Sequence, residues 1–99
     1  MNYVEPKREL MVVPANGGTP KQLTFTGGGI FDFDTAPSGD YVAYPVLNDK
    51  KGFDLWLVER SGKSPHRLLD CGANRCNSPV FSPDGNTIAY PWRNLFTQG

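Results

Sequence analysis

The chain has 99 residues, which is enough for one domain at most. Its 10 basic side chains balance its 10 acidic side chains, so the charge indicates no basic face for nucleic acid or for an anionic membrane surface. No apolar run approaches the roughly 20 residues that a membrane-spanning helix needs. The first residues also lack the apolar stretch of a secretory signal peptide. We therefore expect neither a nucleic-acid partner nor a membrane span.

The composition favours a folded β protein. The 11 glycines and 9 prolines leave no long window with the 3.6-residue apolar period of a helix. Short runs rich in Val, Leu and aromatic residues instead alternate with turn residues about every 8–12 positions. Pro45 is expected near a strand end or at a bulge, because proline has no N–H to donate. The predicted strands span residues 10–13, 22–26, 30–34, 41–46, 54–59, 66–69, 79–82 and 87–92.

The chain also repeats itself. Segment 36–45, Ala-Pro-Ser-Gly-Asp-Tyr-Val-Ala-Tyr-Pro, recurs 46 positions later as Ser-Pro-Asp-Gly-Asn-Thr-Ile-Ala-Tyr-Pro in 82–91. Segment 9–23 lines up without a gap on segment 54–68, 45 positions later. A four-stranded unit of about 45 residues has the size of a β-propeller blade. The sequence therefore predicts an all-β chain of such blades, with a half-blade in 1–29, a full blade in 30–70 and a half-blade in 71–99.

Two segments carry a resemblance to a known family. Segment 82–90 contains Ser-Pro-Asp-Gly followed by Ile-Ala-Tyr, and strand 54–58 reads Asp-Leu-Trp-Leu-Val. Together they resemble the WD-like β-propeller repeat of TolB-type proteins, over nearly all of residues 9–92. Ser38 stands where that repeat usually has Asp, and Phe81 stands where it usually has Trp.

The resemblance implies a non-catalytic protein-binding or scaffold module in the periplasm or outside the cell. TolB-like proteins are periplasmic and work by protein–protein interaction. The alternative is the propeller part of a prolyl-oligopeptidase-like serine hydrolase, in which such blades gate access to a separate catalytic domain. A Gly-x-Ser-x-Gly motif encoded downstream would favour that alternative.

The repeated turn motif has a physical rationale of its own. Pro37 and Pro83 set φ at the first turn position, while Gly39 and Gly85 accept a positive φ. Asp84 can accept a hydrogen bond from the backbone two residues further on. We predict a structural role for these five residues.

Cys71 and Cys76 fall between two predicted units. A disulfide here would close a short loop, contribute about 2 kcal/mol by the chain-entropy estimate and indicate an oxidising compartment. The alternative is a pair of reduced thiols without a role. Two cysteines and one distant histidine, His66, are too few ligands for a structural zinc site.

Other candidate sites are weak. Residues 60–64 contain only the end of a phosphate-loop pattern and precede no predicted helix. Asp32 and Asp34 share a strand face but belong to no twelve-residue calcium loop, and are expected to face solvent. We predict no catalytic residue, cofactor or metal. The large aromatic side chains are expected mainly to fill the core: Phe31, Phe33, Phe53, Trp56, Phe81 and Trp92.

A propeller closes with about 4–8 blades, which 99 residues cannot supply alone. One interpretation is that the chain is a fragment of a longer protein. The other is a head-to-tail homo-oligomer, in which the last strands of one chain pair with the first strands of the next and complete the propeller. The sequence names no other protein partner.

Overall fold

The structure is a computed structural model that describes residues 8–92. Within this range it is all-β and contains no helix, and therefore no helix that could cross a membrane. The strands are β1 (Met11–Val12), β2 (Lys21–Gln22), β3 (Asp34–Thr35), β4 (Tyr41–Leu47), β5 (Phe53–Glu59), β6 (His66–Leu69), β7 (Val80–Phe81) and β8 (Ile88–Ala89).

These strands form three antiparallel sheets. The first sheet is the β1–β2 hairpin, the second is the meander β3-β4-β5-β6, and the third is the β7–β8 hairpin. The three sheets lie within residues 1–29, 30–70 and 71–99 respectively. The predicted outer units also include residues 1–7 and 93–99, which lie outside the described residues.

The second sheet is the most regular. β4 and β5 pair along their whole length, from Tyr41 opposite Glu59 to Leu47 opposite Phe53. Pro45 lies two residues before Leu47, the last residue of β4, and thus near a strand end as expected. The backbone groups of Pro45 point toward β3, as the carbonyl of Tyr41 does when it accepts the N–H of Ala36 at 2.9 Å. Since β3 pairs only as far as Ala43, no strand of the described part of the chain needs the missing N–H.

Several strands differ in extent from their predictions. The first, second, seventh and eighth are shorter, and the third begins at Asp34 instead of Ile30. The backbone N–H of Ile30 is bonded at 3.2 Å to the carbonyl of Arg8, so this part of the chain lies beside residue 8 and not along β4. Strand periodicity alone did not reveal that contact.

The second sheet packs on both sides, because alternate side chains of a strand point to opposite faces. Toward the first sheet, Tyr44 and Val58 pack with Leu10 and Leu23. Toward the third sheet, Ala43 and Leu55 form a buried cluster, and Phe81 and Ile88 of the β7–β8 hairpin pack against it. The core is therefore divided into two apolar layers, one on each face of the central meander.

The repeated sequence folds in a repeated way. The N–H of Ser82 donates to the carbonyl of Thr87 at 2.9 Å, as the N–H of Ala36 does to Tyr41, 46 positions earlier. The N–H of Gly62 donates to Glu59 at 2.8 Å, as the N–H of Gly17 does to Pro14 45 positions earlier, at 2.9 Å. Both sequence offsets are thus preserved in the hydrogen bonds of the turns.

Candidate protein-interaction surface

The repeated turn motifs meet in space. The N–H of Gly39 donates to Ala36 at 2.8 Å and that of Gly85 to Ser82 at 2.9 Å, and both glycines have positive φ. A Cβ at Gly85 would lie 3.5 Å from Cδ of Pro37, so the turns of neighbouring sheets are in contact.

In the second turn, Pro83 lies exposed beside Asp84, whose Oδ1 accepts hydrogen bonds from the hydroxyl of Ser82 and the N–H of Asn86. These bonds hold the pKa of Asp84 below its ordinary value. Asp84 therefore bonds to the backbone two residues on, as its position in the motif predicts.

Cys71 and Cys76 are joined by a disulfide, with their Cα atoms 6.4 Å apart. Both residues are buried in the layer between the second and third sheets, with 4% and 0% of their surface exposed. The bond suggests an oxidising environment for the protein.

The disulfide loop is attached to the start of β5 by backbone contacts. The N–H of Phe53 donates to Asn74 at 3.0 Å, and the N–H of Cys76 donates to Phe53 at 3.1 Å. Gly52 lies against the same loop, with no room for a side chain between them. The loop therefore extends the second sheet beside β5.

A buried carboxylate anchors this loop from inside. Oδ1 of Asp54 accepts hydrogen bonds from Nδ2 of Asn48 and from the N–H of Cys71, both at 2.9 Å. Oδ2 of Asp54 lies 3.5 Å from Nη1 of Arg67. Burial by itself would raise the pKa of Asp54, but these bonds and the Arg67 charge outweigh it and hold the pKa below its ordinary value.

Glu9 anchors the corresponding loop of the first sheet, which follows β2. Its Oε1 accepts the hydroxyls of Thr24 and Thr26 at 2.8 and 2.9 Å, and its Oε2 accepts the N–H of Gly27 at 2.8 Å. Burial raises the pKa of Glu9, but the hydrogen bonds outweigh it and lower the pKa overall. Glu9 and Asp54 are 45 positions apart, so one acid in each unit holds the loop after that unit's last strand.

These two acids were missed as functional positions in the sequence. The available signal was their alignment in the repeat, together with the polar residues near the end of each unit. The loop groups that they hold follow 15 to 18 residues later, a distance that no local motif covers.

Acid should weaken the fold through these two groups. Because the pKa values of Glu9 and Asp54 are lowered in the folded chain, their contribution to stability is complete above their ordinary values of 4.5 and 3.8, and it is lost as the pH falls below these values and through the lower folded ones. Urea unfolding between about pH 7 and pH 3 measures this. We expect Glu9→Gln to be less stable than the native chain at neutral pH and to lose less stability in acid. Equal acid sensitivity in both proteins would contradict this role for Glu9.

Asp32 and Asp34 connect the second and third sheets. Oδ2 of Asp34 accepts the N–H of Phe81 at 2.7 Å, and Oδ2 of Asp32 accepts the hydroxyl of Ser78 at 3.0 Å. β3 and β7 thus lie side by side, although they belong to different sheets. Among residues 8–92 no group of three or more His, Cys, Asp or Glu side chains is placed to hold a metal ion. His66 is exposed on β6.

The outer faces of the first and third sheets are apolar and uncovered within the described residues. Met11 and Val13 are each 56% exposed, whereas Val58, 45 positions after Val13, is fully buried. On the third sheet Ile88 faces the second sheet, so its neighbour Ala89 faces outward and is exposed, whereas Ala43, 46 positions earlier, is fully buried. The repeat therefore places at each end of the stack side chains that the centre buries.

The expectation that the large aromatic residues fill the core is wrong for three of them. Phe31 and Phe33 precede β3 and are 72% and 54% exposed, and Trp92 follows β8 and is 63% exposed. The guanidinium of Arg8 lies 4.8 Å from the ring centre of Phe31. These rings lie outside the paired strands, where no described strand covers them.

A groove of about 650 Å³ opens beside the third sheet. Within residues 8–92 the third sheet has two strands and the second has four, so the hairpin covers only part of the facing sheet and leaves the groove open. Its lining is mainly apolar, and Leu68, which is 44% exposed, lies in it. The other aliphatic side chains along its wall include Leu55, Leu57, Leu69 and Ile88.

Comparison of the chain with protein-family models, with curated proteins and with solved structures found no match in any of the three. The function of the chain must therefore be inferred from its own contacts and exposed surfaces.

Proposed function

We propose that this chain is a non-catalytic protein-binding or scaffold module built from β-propeller blades of the TolB-like type. Residues 30–70 would form a full blade, with half-blades in 1–29 and 71–99. The observation that carries the proposal is the pair of apolar end faces, on which Met11 and Val13 are exposed at positions whose repeat partners lie inside the stack. Apolar surface of this kind marks protein-interaction sites.

The contacts between sheets support the blade arrangement. In a propeller the first strands of successive blades lie next to one another around the axis. β3 and β7 are the first strands of two successive units, and the bond from Phe81 N–H to Asp34 joins them. The disulfide, which suggests an oxidising environment, supports a periplasmic or extracellular location.

A binding experiment tests the function. The tagged chain is used to capture proteins from extracts of its source organism, and each captured protein is purified and its affinity measured. We expect Met11→Glu to weaken binding at least tenfold, because it places a charge on an apolar end face. Leu47→Glu is the matched control, since Leu47 is 60% exposed at the end of β4, away from both end faces.

Equal affinity of the native chain and Met11→Glu for every partner would contradict the proposal. So would the absence of any protein partner, including a second copy of the chain.

A further inference from the structure

We propose that the partner of the free strand edges is a second copy of this chain, with β8 of one copy pairing antiparallel to β1 of the next. This inference rests on the proposed function, because it takes the outer sheets as two halves of one blade. It adds the identity of the partner and the register in which the strands meet.

The free edge of β1 is identified by a hydrogen bond on its other side. The N–H of Leu23 donates to the carbonyl of Leu10 at 2.8 Å, so the backbone of Leu10 faces β2. Backbone groups alternate in direction along a strand, so those of Met11 and Val13 face away from β2. Within residues 8–92 no strand pairs with that edge.

The free edge of β8 is identified in the same way. The N–H of Ser82 donates to the carbonyl of Thr87, so the backbone of Thr87 faces β7. Backbone groups alternate in direction along the strand, so those of Ile88 and of Tyr90, two residues on, both face the opposite edge. No strand of the described chain pairs there either.

The second sheet supplies the register. In it, Val42 lies opposite Val58 and Tyr44 opposite Trp56. Moving the β4 residues forward by 46 and the β5 residues back by 45 places Ile88 opposite Val13 and Tyr90 opposite Met11. These are the same residues whose backbone groups face the two free edges. The repeat offsets and the hydrogen bonds agree, although one comes from sequence and the other from geometry.

The side chains fit the same register. Val58 of the second sheet packs against Leu10 and Leu23 of the first. Applying the 45-residue offset, Val13 of the arriving copy would pack against Leu55 and Leu68 of the receiving one, both of which line the open groove. The pairing would thus bury exposed apolar side chains of one copy in the uncovered groove of the other. Burial of apolar surface is the main driving force of most protein association.

Such an interface joins two different surfaces and leaves each copy with one free end. It is therefore heterologous, and it propagates head to tail until the rotation closes a ring.

Cross-linking of single-cysteine variants tests the register. Met11→Cys and Tyr90→Cys are mixed and oxidised, and linked peptides are identified by mass spectrometry; the native disulfide is buried and stays intact. Opposed residues of such a pair have Cα atoms about 5.5 Å apart, within disulfide range. We expect a linked dimer containing one of each variant, at least tenfold more abundant than with Met11→Cys and Ala89→Cys. Ala89 is the control because it lies on the same strand and points to the opposite face.

Light scattering of the unmodified chain gives a second measurement that needs no variant. We expect a mass of two or more times the 10.9 kDa of a single chain. A single-chain mass at all concentrations, or equal cross-linking of the two cysteine pairs, would overturn self-pairing. If the chain then still binds another protein through Met11, the proposed function stands and only the partner is wrong.

Discussion

Replacing Gly52 with alanine is expected to destabilise the fold by about 3 kcal/mol, the upper end of the usual cost of overpacking. A Cβ at this position would lie 2.8 Å from the carbonyl carbon of Ala73, and closer still to the carbonyl oxygens of Gly72 and Asn74. The obstacle is backbone, and the Cys71–Cys76 disulfide closes the loop to which it belongs. The loop and the β4–β5 hairpin would have to separate to admit one methyl group.

Urea unfolding followed by tryptophan fluorescence measures this effect. A matched control is Lys51→Gly in the same loop, where Lys51 has a φ of 64° that an L residue adopts only at a cost. We expect the free energy of unfolding of that variant to be unchanged or to rise by up to about 1 kcal/mol. An unchanged unfolding midpoint for Gly52→Ala would show that the hairpin and the disulfide loop are not in close contact.

Asp54→Ala is expected to lower the free energy of unfolding by a similar amount, about 3 kcal/mol, for a different reason. Alanine removes the acceptor of the Cys71 N–H and of the Asn48 amide, and both donors lose a charged partner. Arg67 also loses its ion pair, but its side chain is 51% exposed and can turn to water, so that part of the effect is small.

The control for this variant is Asp49→Ala, which removes an exposed carboxylate from the neighbouring loop and should change stability by less than about 0.5 kcal/mol. Amide exchange of Cys71, measured by NMR, gives a local test. We expect it to accelerate in Asp54→Ala and not in Asp49→Ala. If both variants unfold at the same urea concentration, Asp54 does not anchor the loop.

Much of the fold was predictable because the repeat and the turn residues are local signals. The all-β class, the eight strands of the described chain and the disulfide are confirmed, and strand 66–69 has the predicted bounds. The blade arrangement and the TolB-like relationship stay predictions. Strand lengths were overestimated where apolar alternation continues without a partner, as at Phe31 and Phe33.

The interaction surface was harder to predict than the fold. Periodicity shows that a side chain lies on one face of a strand, but not whether another sheet covers that face. Met11 and Trp56 occupy the same repeat position, yet Met11 is 56% exposed and Trp56 packs against the core. The sequence pattern is the same at both positions. Their burial differs because one lies in the central sheet and the other in a sheet at the end of the stack.

The order of the strands in the three sheets has a kinetic consequence. Every strand pair in residues 8–92 joins strands that are consecutive in the chain. Chains dominated by such short-range pairing search fewer conformations and fold faster than those that must close long loops first. Each hairpin can form as soon as its own residues leave the ribosome, so the order of synthesis and the order of folding can coincide.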